Sequence, residues 1–396
     1  MSLRAALARR VRGAPAPLTS PRPPLLLEAL REGAVPLAPR AAAAAGDRAT
    51  PLRVAVVIPQ FRRGSGGHKT IADLVRGLEA RGHALELLLV DEEGRHAEQA
   101  DDAALSALFI AFFGPVRAPV RRLDAAAFGG ADVVVATGWQ TVPAVLRLPG
   151  AAARAYLVQD HEPEFYPTSI EREWATWTYR QGLHAICASP WLAGLVTDLY
   201  GSTASSFDLG VDHETYRATS GGGPRRTDRV LFYARPTTPR RAVPLGLLAL
   251  EELHRRRPGV DVVLFGEPRA TDAPFAHRDL GVLPPAQLAR EYAQATAGVV
   301  LSLTNPSLVP TEMLACGLPV VDLAVGSMLD TFGADGPIEL SAPDPLALCA
   351  AIERLLDDAA LRERRSAAGL ALTAQRTWTR AAQQVDAGLR DALAAR

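Results

Sequence analysis

Residues 304–321 read Thr304-Asn305-Pro306-Ser307-Leu308-Val309-Pro310-Thr311-Glu312-Met313-Leu314-Ala315-Cys316-Gly317-Leu318-Pro319-Val320-Val321, and their reading decides the fold. An apolar run, Ala297 to Leu303, precedes them and has the character of a buried parallel strand. Asn305-Pro306-Ser307 form a turn, a short helix is expected from Pro310 to Cys316, and Gly317 with Pro319 end it. A second strand begins at Pro319. Strand, loop, helix and strand make one step of an open α/β sheet, whose ligands sit at the carboxyl ends of strands. After the turn residue Pro306, the unpaired amides of Ser307, Leu308 and Val309 and the helix dipole suit a phosphate. Glu312 lies one turn in. A carboxylate there repels phosphate but can accept two hydroxyl hydrogen bonds from a ribose. The pattern is that of a nucleotide-sugar site.

Upstream, Val260 to Phe265 is a strand ending in Gly266-Glu267-Pro268, and Arg229 to Ala234 is another, ending in the basic loop Arg235 to Arg241. Before these comes a composition break at 218–228 that contains Ser220-Gly221-Gly222-Gly223-Pro224, the expected interdomain linker. It divides a domain at 51–217 from one at 229–376. The first opens with the strand Leu52 to Pro59, the loop Arg63-Gly64-Ser65-Gly66-Gly67-His68-Lys69-Thr70, a helix to about Arg81 and a strand at Ala84 to Val90. That order also fits a dinucleotide fold, but Lys69 stands where the third glycine of the fingerprint belongs. A nicotinamide enzyme is therefore a weaker reading.

Two further strands, Asp132 to Ala136 and Ala155 to Val158, end in loops. The second loop carries Asp160, His161 and Glu162. Three ionisable groups at a strand's carboxyl end are costly to bury without partners. They could bind acceptor hydroxyls, hold a donor hydroxyl, or cap a turn stopped by Pro163; which of them acts is open. A helix at Ser169 to Gln181 carries Trp174 and Trp177, read as core packing in preference to an acceptor platform. Ser189 and Pro190 are the N-cap and first residue of the next helix, and His184 reads as structural.

A chain of 396 residues exceeds one ordinary core. Zero formal net charge argues against a general nucleic-acid binder. Cys187, Cys316 and Cys349 show neither metal spacing nor a disulfide framework, which fits a reducing, cytoplasmic compartment. No segment approaches the ~20 apolar residues of a membrane span. Residues 1–50 form an N-terminal extension with expected helices at Leu3 to Val11 and Pro24 to Glu32. The first is either a basic amphipathic helix resting on the inner membrane face, or a frayed leader or a helix packed on its own domain.

The spelling P-S-x-x-P-x-E-M-x-A-C-G-L-P-V-V resembles the donor-site signature of retaining GT-B glycosyltransferases of the GT4 type. Within them it is most similar to the rhamnan rhamnosyltransferase branch of the WsaF type. The stretches V-Q-D-x-E-P-x-F-Y-P at 158–167, C-A-S-P-W-L at 187–192 and G-V-D at 210–212 add to the likeness. The resemblance implies a GT-B fold, with two Rossmann-like domains facing across a cleft and a helix at 377–396 crossing back to the first. It implies that Arg235 and Arg240 grip the diphosphate, that Gly66, Gly67 and Gly266 face the donor, and that the backbone at Val282 and Leu283 reads the base. It carries Glu312 over to the second of the family's two glutamates. Thr304 stands where the first would be, which puts the donor sugar in doubt.

The implied activity is transfer of a sugar, with dTDP-L-rhamnose the expected donor, to a hydroxyl of a glycan or lipid-linked acceptor with retention. No D-x-D-like pair falls in the expected cleft, so metal independence is expected, with no cofactor beyond the nucleotide sugar. Asp160 and His161 join Arg235 and Arg240 as candidate catalytic residues. The alternatives are a UDP- or GDP-sugar donor on the same fold, or a nucleotide- or glycan-binding subunit without transfer activity.

Overall fold

The computed structural model describes residues 23–39, 50–221 and 228–395. The expected helix at 3–11 and residues 222–227 of the expected linker lie outside them. The first domain holds strands β1 (Arg53–Ile58), β2 (Ala84–Leu89), β3 (Val120–Arg122), β4 (Ala131–Ala136), β5 (Ala151–Val158), β6 (His184–Cys187) and β7 (Ala204–Ser206). The second holds β8 (Arg229–Tyr233), β9 (Asp261–Phe265), β10 (Arg278–Asp279), β11 (Ala297–Val299), β12 (Val320–Leu323) and β13 (Ile338–Ser341). Every pairing is parallel, in the orders β3-β2-β1-β4-β5-β6-β7 and β10-β9-β8-β11-β12-β13.

The order explains where a ligand can lie. Strand connections run outward in opposite directions from β1 and β4, and likewise from β8 and β11. Such a reversal leaves a crevice at the carboxyl ends. The segments singled out in the sequence follow the strands at these reversals: Gly66-Gly67 after β1, Arg235 to Arg240 after β8, and Thr304 to Leu308 after β11.

Helices cover both faces of each sheet, which is why the strands are apolar on both sides. In β1, Val54, Val56 and Ile58 pack with Leu74, Val75 and Leu78 of the Gly66–Ala80 helix, while Ala55 and Val57 face the opposite layer. The Trp378–Ala394 helix belongs to the first of these layers. Its Ala381, Val385, Leu389 and Leu393 are buried in the same cluster as Val56 and Leu78. Gly77 permits the contact, since a Cβ there would lie 2.4 Å from Ala382 Cβ. At the rim of this interface Arg81 Nη2 meets Asp386 Oδ2 at 2.7 Å. The chain's two passages between the domains run side by side, with Val211 bridging Thr377 and Val211 N–H donating to Arg376 O at 3.0 Å.

Helix starts follow their caps. Ser169 and Ser189 each accept a backbone N–H three residues on, opening the Ile170–Tyr179 and Pro190–Tyr200 helices. The Pro24–Glu32 helix packs on the Val142–Arg147 helix, where Arg147 pairs with Glu28 and Glu32.

Two expectations are corrected. The run from Ala297 leaves the sheet after Val299 although residues 300–302 stay buried, because Ser302 N–H is taken by Asp322 Oδ1 at 2.7 Å. The next helix spans Leu308–Ala315, beginning before Pro310, which sits where its missing N–H costs nothing.

Overfilling the Gly77 contact tests the docking of the last helix. Gly77→Val should lower unfolding stability by about 1–3 kcal/mol in denaturant titrations. An unchanged midpoint would mean that the helix does not seat there.

Candidate functional site between the domains

Asp160 follows β5 and is 7% exposed. Its carboxylate reaches out of the first domain into the second. Oδ2 lies 3.0 Å from Arg240 Nε and accepts the Thr304 hydroxyl at 2.9 Å. Oδ1 accepts Asn305 N–H at 3.0 Å and His161 N–H at 2.9 Å. Asn305 reinforces the contact, donating through Nδ2 to Gln159 O at 3.1 Å and receiving the Ser189 hydroxyl at 2.7 Å. Ser327 Oγ holds Thr304 O at 2.6 Å. Both carboxylate oxygens therefore have hydrogen-bond partners despite the burial.

Arg240 comes from the loop after β8. Its guanidinium also lies 3.9 Å over the Phe165 ring of the first domain. Arg235, half-buried on the same loop, donates to Tyr233 Oη at 3.4 Å. Beneath them Arg241, 5% exposed, donates to Ser302 Oγ at 3.0 Å. Asp322 accepts Ser302 N–H and Leu323 N–H, each at 2.7 Å, through Oδ1 alone. Burial pushes its carboxyl up to about 7. This layer fixes the loop that presents Thr304 and Asn305.

Pro306 is buried, and the Leu308–Ala315 helix starts behind Ser307 without a side-chain cap. Leu308 and Val309, both half-buried, therefore offer helix-start amides to the cleft. Glu312, one turn on, is half-buried beside the Tyr216 hydroxyl and within reach of the Lys69 charge; burial raises its carboxyl to about 7. Gly266 adopts φ +107°, and a Cβ there would lie 2.5 Å from the Tyr233 ring. Its N–H donates to Gly281 O at 2.8 Å, which ties it to the segment carrying exposed Val282 and half-buried Leu283. Across the cleft, Gly67 O accepts Gln159 Nε2 at 3.3 Å, and a Cβ on Gly66 would meet nothing.

The sequence candidates thus divide. Asp160, Arg240 and the 304–309 loop come together. His161 takes part only through its backbone: its ring turns into the first domain, 2.7 Å from Tyr200 Oη and packed on Tyr179 and Tyr200. His68 is a loop strut between Ser65 Oγ and Pro59 O, and burial lowers it to about 4. Glu162 is buried, accepts Trp139 N–H at 2.7 Å, and is raised to about 7 by burial. Sequence reasoning missed the clasp made by Thr304 and Asn305, as well as Phe165, Ser189 and Tyr216. Thr304 was visible only as a departure from a family pattern, and Asn305 only as a turn former. Among the described residues no cluster of three or more His, Cys, Asp or Glu could hold a metal ion, and no helix is long and apolar enough to cross a membrane.

The fold is GT-B. Sucrose-phosphate synthase from Thermosynechococcus elongatus superposes with a TM-score of 0.66 at 18% identity, over 87% of this chain and 100% of that one. Anabaena HepE, in complex with UDP and glucose, superposes with a TM-score of 0.63 at 16% identity, over 86% of this chain and 100% of that one. More particularly, residues 228–353 match the family described as WsaF, C-terminal domain. The O-antigen biosynthesis protein RfbC of Myxococcus xanthus is 30% identical over 348 residues, covering 84% of this chain and 26% of the relative. A D-inositol 3-phosphate glycosyltransferase of Frankia alni is 34% identical over 232 residues, covering 50% of this chain and 56% of the relative. The chain thus spans 26% and 56% of the length of these curated relatives.

Glu162 gives the site a pH signature. Its folded carboxyl keeps its proton to about 7, against an ordinary 4.5. The folded state therefore binds more protons than the unfolded state between those values, and stability falls as pH rises through that window. Glu162→Gln keeps an acceptor for Trp139 N–H and removes the titration. Relative to wild type, its denaturation midpoint should rise between pH 5 and pH 8.5; a pH-independent difference would contradict the buried, protonated carboxyl.

Proposed function

We propose that the chain is a glycosyltransferase that moves a sugar from a nucleotide diphosphate to a hydroxyl of a growing polysaccharide or glycolipid. The observation that carries this reading is the meeting of Arg240 with Asp160 and Thr304 at the mouth of the Leu308–Ala315 helix. A cation, a helix N-terminus and a carboxylate from the facing domain converge on one cleft. The names of the relatives favour the same direction: one acts in O-antigen biosynthesis and another is a glycosyltransferase. HepE was solved with UDP and glucose.

In this reading the diphosphate lies against Arg235, Arg240 and the amides of Leu308 and Val309, which stabilise the negative charge that develops as the sugar C1–O bond breaks. Arginine is suited to that role because it is permanently charged and can bond two phosphate oxygens at once. Glu312 accepts the ribose hydroxyls, and the backbone at Gly266, Val282 and Leu283 lies toward the base. Asp160 faces the sugar. Thr304 supplies no carboxylate where the family has its first glutamate, and Asp160 Oδ2 sits 2.9 Å from the Thr304 hydroxyl. A carboxylate from the opposite domain therefore stands in this reading beside the position of the absent one.

The acceptor hydroxyl attacks C1 on the face the diphosphate leaves, its proton passes to the departing phosphate oxygen, and configuration is retained. The donor of this reading is dTDP-L-rhamnose, the one implied by the sequence resemblance at 306–321, used without a metal ion. The acceptor is a glycan or a lipid-linked glycan.

A thermal-shift panel of dTDP, UDP, GDP, ADP and NAD, without and then with magnesium, tests the reading without knowledge of the acceptor. A selective, metal-free rise with dTDP is expected. A rise with UDP or GDP alone would change the donor, and one with NAD alone would sink the transferase reading. Arg240→Ala should lower turnover by roughly 10²–10³-fold while the variant remains folded; unchanged turnover would remove Arg240 from the diphosphate.

A further inference from the structure

We propose that Lys69 is the first domain's cationic contact to the phosphates of the donor, closing from the side opposite Arg235 and Arg240. The inference rests on the nucleotide-sugar reading above and adds a residue that the comparisons do not assign.

Lys69 is the only lysine among the 43 basic residues counted as Lys and Arg. A chain that uses arginine everywhere else can put arginine at any solvated basic position at little cost. The remaining amine sits where the two side chains are not equivalent. Lys69 Nζ lies in the fork of the Asp73 carboxylate, 2.6 Å from each oxygen. An ammonium fits that point and keeps a third N–H for another acceptor, whereas a planar guanidinium would spend its fork on Asp73.

Asp73 is itself fixed. It is 6% exposed, and Arg76 binds its Oδ1 while also donating to Phe113 O at 3.3 Å and Pro115 O at 3.2 Å. Two cations share one carboxylate, so the group carries one uncompensated positive charge. The Lys69 side chain is 39% exposed, so that charge is accessible to a ligand.

Its position is the fourth residue of the Gly66–Ala80 helix, which begins at the carboxyl end of β1, where the first sheet reverses direction. That helix has no acidic residue in its first turn, and its N-cap Ser65 makes no cap bond, its hydroxyl being engaged with His68. The helix end therefore adds to the positive potential. Glu312, the residue placed at the ribose, lies near enough for its carboxyl, raised mainly by burial, to be lowered by the Lys69 charge and raised by Asp73. A group between the ribose and Arg240 is the diphosphate.

The experiment uses the full chain and two readouts. In calorimetric titrations dTDP should bind wild type, and Lys69→Met should weaken it about tenfold or more, as loss of one charge-assisted bond implies. Thymidine should bind both equally, and Lys69→Arg should recover only part of the loss. In the second readout, pyridoxal 5′-phosphate and borohydride should label wild-type Lys69, located by peptide mapping, and dTDP but not thymidine should slow the labelling. Because this arm uses wild type, it decides the matter even if a variant misfolds. Tight dTDP binding to Lys69→Met with no protection of the wild-type amine would reduce Lys69 to a helix-surface ion pair. A wild type that binds no nucleotide would overturn the donor reading itself, a result distinguishable from the first.

Discussion

The structure turns on one buried carboxylate. Asp160 is held from both sides of a domain boundary, by His161 N–H within its own domain and by Arg240, the Thr304 hydroxyl and Asn305 N–H from the other. An isolated carboxylate at that depth would either take up a proton or draw in water. Here the second domain supplies three of its polar partners. The surrounding contacts follow the same pattern. Asn305 reaches Gln159 and Ala188, Ser189 reaches Asn305, and Phe165 underlies Arg240. Polar partners of this kind are directional and break cleanly, unlike an apolar interface.

The same contact constrains what Arg240 can do. In the structure its charge is shared between Asp160 and the Phe165 ring. On the proposed reading, a diphosphate arriving at Arg240 would meet a side chain that is already oriented, with little rotamer freedom left to lose. The cost falls instead on the Asp160 pair, which has to share its cation with a second anion. Sugar hydroxyls that donate to Asp160 would compensate for that sharing, because they replace part of the guanidinium's role. On the proposed reading, recognition of sugar and recognition of phosphate would be tied to each other through this ion pair.

Much of the fold was legible because its signals are local. β1, β2, β8, β9 and β12 announce themselves as apolar runs bounded by turn formers, and the helices behind Ser169 and Ser189 by their caps. β3, β7, β13 and the Gly326–Phe332 helix were not read. They are short, and the sheet edge or neighbouring helix fixes them more than their own composition does. The site divided in the same way. Arg240 and Asp160 were legible as ionisable groups at strand ends, but their partnership was not, since it joins residues 80 positions apart on different domains. His161 misled because chain adjacency to Asp160 says nothing about which way a ring turns, and Tyr179 and Tyr200 draw it inward. Thr304 looked like a missing carboxylate in one dimension. In three, a carboxylate from elsewhere is beside it.

The Trp378–Ala394 helix packs into the core of the first domain, although the whole second domain precedes it in the chain. On a ribosome, residues 51–217 would emerge with the groove beside Val56, Leu78 and Ile186 still open to water. The second domain carries its own two core clusters and can fold while that groove waits. The first domain is thus begun first and completed last. A nascent chain stalled after residue 376 would display an unsealed apolar seam of the kind that holdase chaperones bind.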